Sequence, residues 1–203
     1  MATATPTITE IILPHPQRQS LIIAREASLI VGGAALMAGV AQLAIPLQPV
    51  PITLQTLGVL LLGAAYGWKR AGATMLTYVV AGTAGLPIFA EGRGGFSVLF
   101  GPTGGYLVGF IFAAALVGFL AERGWDRTPW MTALAMLLGN IVIYLVGLPW
   151  LAVALHLPAD LMVKYGLQPF LFGDTIKLIA AVVLLPAAHL ALRLMRPSGS
   201  SGG

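Results

Sequence analysis

Two opposite charges stand three residues apart in an otherwise apolar stretch, Pro169-Phe-Leu-Phe-Gly-Asp174-Thr-Ile-Lys177. On a helix that spacing puts Asp174 and Lys177 on one face. Each charge would be costly in an apolar medium unless it met the other or faced a cavity. The pair can neutralise itself and simply tolerate burial. It can also form a ligand site, with Asp174 as acceptor and Lys177 as donor side by side in a low dielectric. That second arrangement suits a small molecule carrying N–H beside C=O.

Other groups could join such a site. Gln55 follows Thr53 at the start of one apolar segment, Tyr106 opens another, and Asn140 and Tyr144 lie within a third. Taken singly, a Gln or Asn in a membrane helix is commonly a helix–helix hydrogen bond, and Thr53 can cap its helix. The stretch Glu91–Gly105 is glycine-rich and holds one cation, Arg93. Clustered glycines permit positive φ, and irregular backbone at membrane depth must be buried in protein or line water. A loop over a pocket mouth fits both conditions. Arg93 could there meet a carboxylate or stand in solvent. No Gly-Lys-Ser/Thr follows the glycines, so ATP binding by this chain is not expected.

The composition says what must position these groups. Of 203 residues, 58% are hydrophobic and 9% charged, with a mean hydropathy of +0.90. A soluble domain carries roughly a quarter charged residues, so lipid must solvate most of this exterior. There is no cysteine, which excludes disulfides, thiol nucleophiles and iron–sulfur clusters. The net charge of +4 is spread over single residues and pairs rather than a basic patch, so nucleic acid is not an expected partner. Residues 1–20 lack the apolar core of a cleavable signal and read as a cytoplasmic arm with a short interfacial segment at Ile8–Leu13.

Proline, glycine clusters and charges divide the remainder into six apolar spans, near 24–44, 53–67, 71–84, 106–121, 129–148 (ending before Pro149) and 169–194. The fold class is therefore all-α, a polytopic membrane protein with six transmembrane helices. The spans alternate so that Arg18, Arg25, Lys69, Arg70, Arg123, Arg127, Arg193 and Arg196 share one side. Arg93 and Lys164 fall on the other. By the positive-inside bias both termini are cytoplasmic. Asp174 then lies about 8 Å from the outer start of its span at 1.5 Å per residue. Gln55 and Tyr106 start their spans on the outer side, and Asn140 and Tyr144 fall in the middle to outer half of theirs, so these polar groups gather in one outer layer. The organisation reads as an arm over 1–21, one six-helix domain over 22–194, and a flexible tail over 195–203. Tyr66, Tyr78, Trp68, Trp125, Trp130 and Trp150 read as interfacial anchors. Ala34 and Ala38, one turn apart in the first span, allow close helix approach, either within the protein or to another membrane subunit.

At Pro49-Val-Pro-Ile-Thr-Leu-Gln55, Gly101-Pro-Thr-Gly-Gly-Tyr-Leu107 and Gly173-Asp-Thr-Ile-Lys177 the sequence resembles the BioY family, biotin-specific substrate-binding (S) components of energy-coupling factor transporters. The likeness runs from about Ile22 to Leu194 with the motifs in order. Leu86-Pro-Ile-Phe-Ala followed by Gly92 resembles the family's third loop, but Glu91 stands where a small residue is expected. The resemblance implies a six-helix subunit of the cytoplasmic membrane that captures biotin from outside and works with a transmembrane coupling protein and a pair of cytoplasmic ATPases. By the same resemblance Asp174 and Lys177 hold the ureido ring, Arg93 takes the valerate carboxylate, and Ala34 and Ala38 form the docking motif. Gln55, Tyr106, Asn140 and Tyr144 are further pocket candidates. No cofactor, metal or enzymatic activity is expected.

Two rival readings remain open at this stage. A self-contained secondary transporter or channel could use the Asp–Lys pair, though no inverted repeat is visible. An intramembrane enzyme would need a catalytic constellation, and the sequence brings none of His15, His156 and His189 beside a carboxylate on one face.

Overall fold

The computed structural model describes residues 5–13 and 16–195, and of the sequence expectations, His15, Arg196 and the tail beyond it lie outside the described residues. The chain is mostly helical. A short helix α1 (Ile8–Ile12) precedes α2 (Gln19–Ala41). A two-residue hairpin follows, β1 (Ala44–Ile45) against β2 (Ile52–Thr53), antiparallel with Ala44 opposite Thr53. Then come α3 (Gln55–Tyr66), α4 (Trp68–Thr83), a single 3-10 turn at Ala90–Gly92 and α5 (Phe96–Leu99). The second half holds α6 (Gly104–Ala121), α7 (Pro129–Leu155), α8 (Ala159–Gly166) and α9 (Gln168–Met195).

Six of these helices coincide with the six apolar spans read from sequence. Among the described residues, four stretches are long and apolar enough to cross a membrane, namely Gln19–Ala41, Gly104–Ala121, Pro129–Leu155 and Ala159–Leu192. α3 has 12 residues and α4 has 16, about 18 and 24 Å at 1.5 Å per residue. Around the bundle Leu36, Val80, Phe112, Leu145 and Phe172 are each more than half exposed, a surface that water would not tolerate and lipid would.

Two boundaries and one helix depart most from the sequence expectation. α2 begins at Gln19, five residues before the first expected span. α7 runs through Pro149 to Leu155: proline removes one backbone hydrogen bond, yet the bonds on either side persist, and in lipid breaking the helix would free more polar groups than it relieves. α8 was not expected at all, because its polar face, including Asp160 and Lys164, reads as loop in sequence.

α6 is the central helix, two thirds buried, packed against α3, α4 and α7. Small residues let neighbours approach. A Cβ added at Gly118 would stand 2.5 Å from the backbone of Gly67 and Trp68, the turn where α3 passes into α4 with Gly67 at φ 78°. Further along, α6 meets α7 with Gly109 over the Ile143 backbone.

One end of the bundle carries Arg25, Lys69, Arg70, Arg123 and Arg127. The other carries Arg93 and Lys164. At the basic end, Arg70 grips Glu26 with Nε and Nη2 at 2.6 and 2.8 Å, and its Nη1 donates to Thr9 Oγ1 at 3.0 Å. This ties α1, α2 and α4 through a two-point ion pair. The N-terminal arm is thus packed on the bundle: Thr5 donates its N–H to Glu122 O at 2.7 Å, and Thr9 Oγ1 donates to Ala65 O. His189 Nε2 lies 2.5 Å from Asp126 Oδ2, both side chains buried. The sequence shows no His–carboxylate spacing on one helix face, and this pair is of another kind: its partners are 63 residues apart, and helical spacing cannot register it.

Gly118→Ala should lower stability by about 1–3 kcal/mol, because the added methyl meets backbone that cannot rotate away. A fall in the unfolding midpoint of the detergent-purified protein measures it, and an unchanged midpoint would contradict the packing described.

Candidate functional site

At the end opposite the basic cluster, α3, α6, α7 and α9 enclose a cavity with about 590 Å³ of atom-free space, its open mouth included. The walls are mainly apolar, with Val50 and Pro51 from the hairpin loop, Phe89 and Val98 from the glycine-rich segment, Phe110 and Ile143 from the helices, and Phe170 from α9. A few polar groups converge on this lining: Thr53, Gln55, Thr56, Arg93, Thr103, Tyr106, Tyr144 and Lys177. An apolar chamber with a small number of placed polar groups is the usual form of a small-molecule site.

The charged pair is as the helical spacing predicts. Lys177 Nζ lies 3.1 Å from Asp174 Oδ1, and both side chains are buried. Lys177 also donates to Thr56 Oγ1 at 2.9 Å, and Thr56 Oγ1 reaches Asp174 Oδ1 at 3.3 Å. Tyr144 donates its hydroxyl to Asp174 Oδ2 in a short hydrogen bond. Lys177, Thr56 and Tyr144 face the cavity, whereas Asp174 sits behind them as their common acceptor. A buried carboxylate needs this many donors to remain charged away from water.

The remaining sequence candidates divide. Gln55 is buried, donates Nε2 to Tyr78 OH at 2.9 Å, and accepts from Thr53 Oγ1 at 3.0 Å. Tyr78, expected as an interfacial anchor, is instead fully buried and donates to Ile88 O at 3.0 Å. It thereby braces the segment that carries Phe89, whose ring it meets edge-on at 5.4 Å. Trp150, also expected as an anchor, donates to Gly101 O at 3.0 Å and holds the glycine-rich loop. Tyr106 donates to Gly166 O at 2.9 Å and packs edge-on to Tyr144, centroids 6.3 Å apart. Arg93 lines the cavity with its side chain 42% exposed, paired to Glu91 at 3.2 Å.

Asn140 is not on this wall. It lies with Asp174 in a separate groove between α7 and α9, and its Oδ1 is buried without a partner. On α7 it stands one turn below Tyr144, so Tyr144 occupies the cavity side and Asn140 the layer beneath. Ala34 is buried in the chain's own core and Ala38 is half-buried, while Gly32, Ala35 and Gly39 form the exposed small-residue face of α2. The spacing was visible in sequence, but the rotation of the helix was not. Thr56, Phe89 and Phe170 are lining residues that sequence reasoning missed. Thr56 carried a faint signal as a second polar residue beside Gln55, whereas the two phenylalanines are indistinguishable in sequence from lipid-facing ones.

Fold and site together define a helical membrane protein with a ligand chamber near one end. The BioY family model matches residues 13–194, and the chain belongs to the BioY family. It is 40% identical over 156 residues to the biotin transporter BioY of Thermotoga maritima, covering 77% of this chain and 87% of that one. It is 35% identical over 159 residues to the biotin transporter BioY2 of Lactococcus lactis subsp. cremoris, covering 77% and 85%. Among solved structures, the S-component for biotin from an ECF-type ABC transporter superposes with a TM-score of 0.74 at 26% identity, covering 86% of this chain and 95% of that one. The chain is accordingly membrane-embedded.

Tyr144→Phe removes one donor to Asp174 without changing the ring that walls the cavity. It should weaken ligand binding by about ten- to a hundredfold, the worth of a hydrogen bond to a charged group. Calorimetric titration of the purified variant checks this, and equal affinity would exclude Tyr144 from the site's polar framework.

Proposed function

We propose that this chain captures biotin and carries it across the cytoplasmic membrane as the substrate-specific subunit of an ATP-driven, energy-coupling-factor-type importer. It is a transport subunit rather than an enzyme. The observation that carries the reading is the buried Asp174–Lys177 pair, held by Thr56 and Tyr144 at the wall of a mainly apolar cavity. Biotin offers two ureido N–H donors, a carbonyl acceptor, an apolar bicycle and a charged tail. Lys177 donates to the ureido carbonyl, and Asp174 accepts a ureido N–H in exchange for the Thr56 hydroxyl. Phe89, Phe110 and Phe170 enclose the bicycle, Gln55, Tyr106 and Tyr144 shape the polar rim, and Arg93 at the mouth receives the carboxylate. Asn140, one layer below, supports the wall rather than touching ligand.

In this reading α2, α3, α4, α6, α7 and α9 all cross the bilayer, the short α3 and α4 included because neighbours bury them. Both termini face the cytoplasm with the basic end of the bundle, and the cavity opens outward. The energy comes from partners: a transmembrane coupling protein and a pair of cytoplasmic ATPases. The exposed face of α2 at Gly32, Ala35 and Gly39 suits close approach of a partner helix. Ala34 serves internal packing.

Titrating biotin and thiamine against the purified protein tests the substrate, with biotin alone expected to bind. Asp174→Asn or Lys177→Ala should each weaken biotin by at least about tenfold, since either leaves a buried partner unpaired. Undiminished biotin affinity in both variants would defeat the proposed site. For the partner face, Gly39→Leu should abolish biotin uptake by cells supplying the other subunits, with biotin binding in detergent unchanged. Normal uptake would move the docking surface elsewhere.

A further inference from the structure

Glu91 departs from the small residue that the resemblance led us to expect, and the backbone there is strained. It adopts φ 62° and ψ 28°, the left-handed region that disfavours side chains with a Cβ, and Gly92 follows at φ 66°. The turn is clamped. Gln42 at the end of α2 accepts the Gly92 N–H at 3.0 Å and donates to Phe89 O at 3.2 Å. Phe89 N donates to Arg93 O at 2.9 Å. In that register Glu91 Oε2 lies 3.2 Å from Arg93 Nη2, and Arg93 Nε donates to Ala90 O at 3.3 Å.

An arginine takes a carboxylate two-pronged either through Nε and Nη2 or through its two terminal nitrogens. Both forks use Nη2, and Glu91 holds it. A ligand carboxylate arriving from the cavity must therefore displace Glu91 or bind through Nη1 alone beside a like charge. We propose that Glu91 is a built-in competitor that occupies Arg93 in the empty site and lowers the affinity specifically for the anionic end of the ligand. The inference deepens the biotin reading and rests on it.

The ligand's tail charge supplies the test. Biotin and its neutral primary amide are titrated against wild type, Glu91→Gln and Glu91→Gly at low and high salt. Glu91→Gln should bind biotin about two- to fivefold more tightly at low salt, the range of a half-exposed ion pair. The gain should shrink as salt screens it, and affinity for the amide should stay the same. Glu91→Gly also relieves the positive φ and must show the same preference for the acid over the amide, which covers the case in which glutamine disturbs the turn. In an Arg93→Gln background the gain should vanish.

Unchanged or weaker biotin binding in both Glu91 variants overturns the proposal, as does equal tightening toward acid and amide, which would mark a backbone effect. If wild type binds acid and amide equally, Arg93 is not the carboxylate partner and the competitor role falls while the biotin reading stands. Failure of wild type to bind either ligand would sink the biotin reading, and the competitor role with it.

Discussion

A carboxylate buried in a membrane protein must be surrounded by donors, and the arrangement about Asp174 follows from that need. Lys177 from the same helix, Thr56 from α3 and Tyr144 from α7 all point to it. Three helices are thereby fixed relative to one another at one depth. No single group in this set is a strong stabiliser, because desolvation offsets much of the attraction. Its value lies in orientation: the donors that satisfy Asp174 also present polar edges to the cavity.

The opposite wall of the chamber is irregular backbone held in place from three helices. Gln55 of α3 bonds Tyr78 of α4, which bonds Ile88, while Gln42 at the end of α2 separately bonds Phe89 and Gly92. Phe89 fills the space over Gly82, where a Cβ would fall 2.3 Å from its ring. On the far side Trp150 holds Gly101 and Tyr106 holds Gly166. The glycine-rich segment thus lines the cavity as a braced wall. Because Gln42 ends the helix whose exposed face suits a partner, the wall and that face share one rigid element.

At the other end the constraints concern anchoring rather than recognition. Arg70 with Glu26 and Thr9 seals the start of α2 to α4 and to the arm, and His189 with Asp126 joins the end of α9 to the turn after α6. These contacts join segments distant in sequence, and the buried His189–Asp126 pair is shielded from competing water. The chamber end therefore sits on a frame whose helices are tied at their far tips.

Sequence alone determined the apolar helices, their order, the clustering of basic residues toward one set of turns, and the shared face of Asp174 and Lys177. Those features depend on composition and on short-range helical periodicity, which act within a few residues. Tertiary structure decided which face of each helix turned inward. It set Asn140 behind the wall and Thr56 on it, buried Ala34 while exposing Ala35, turned Tyr78 and Trp150 to brace the loop, and brought His189 to Asp126. In an all-apolar chain the hydrophobic pattern that normally orients a helix is nearly uniform around its circumference. Rotation is then set by close packing and a few long-range polar pairs, and neither leaves a local trace in sequence.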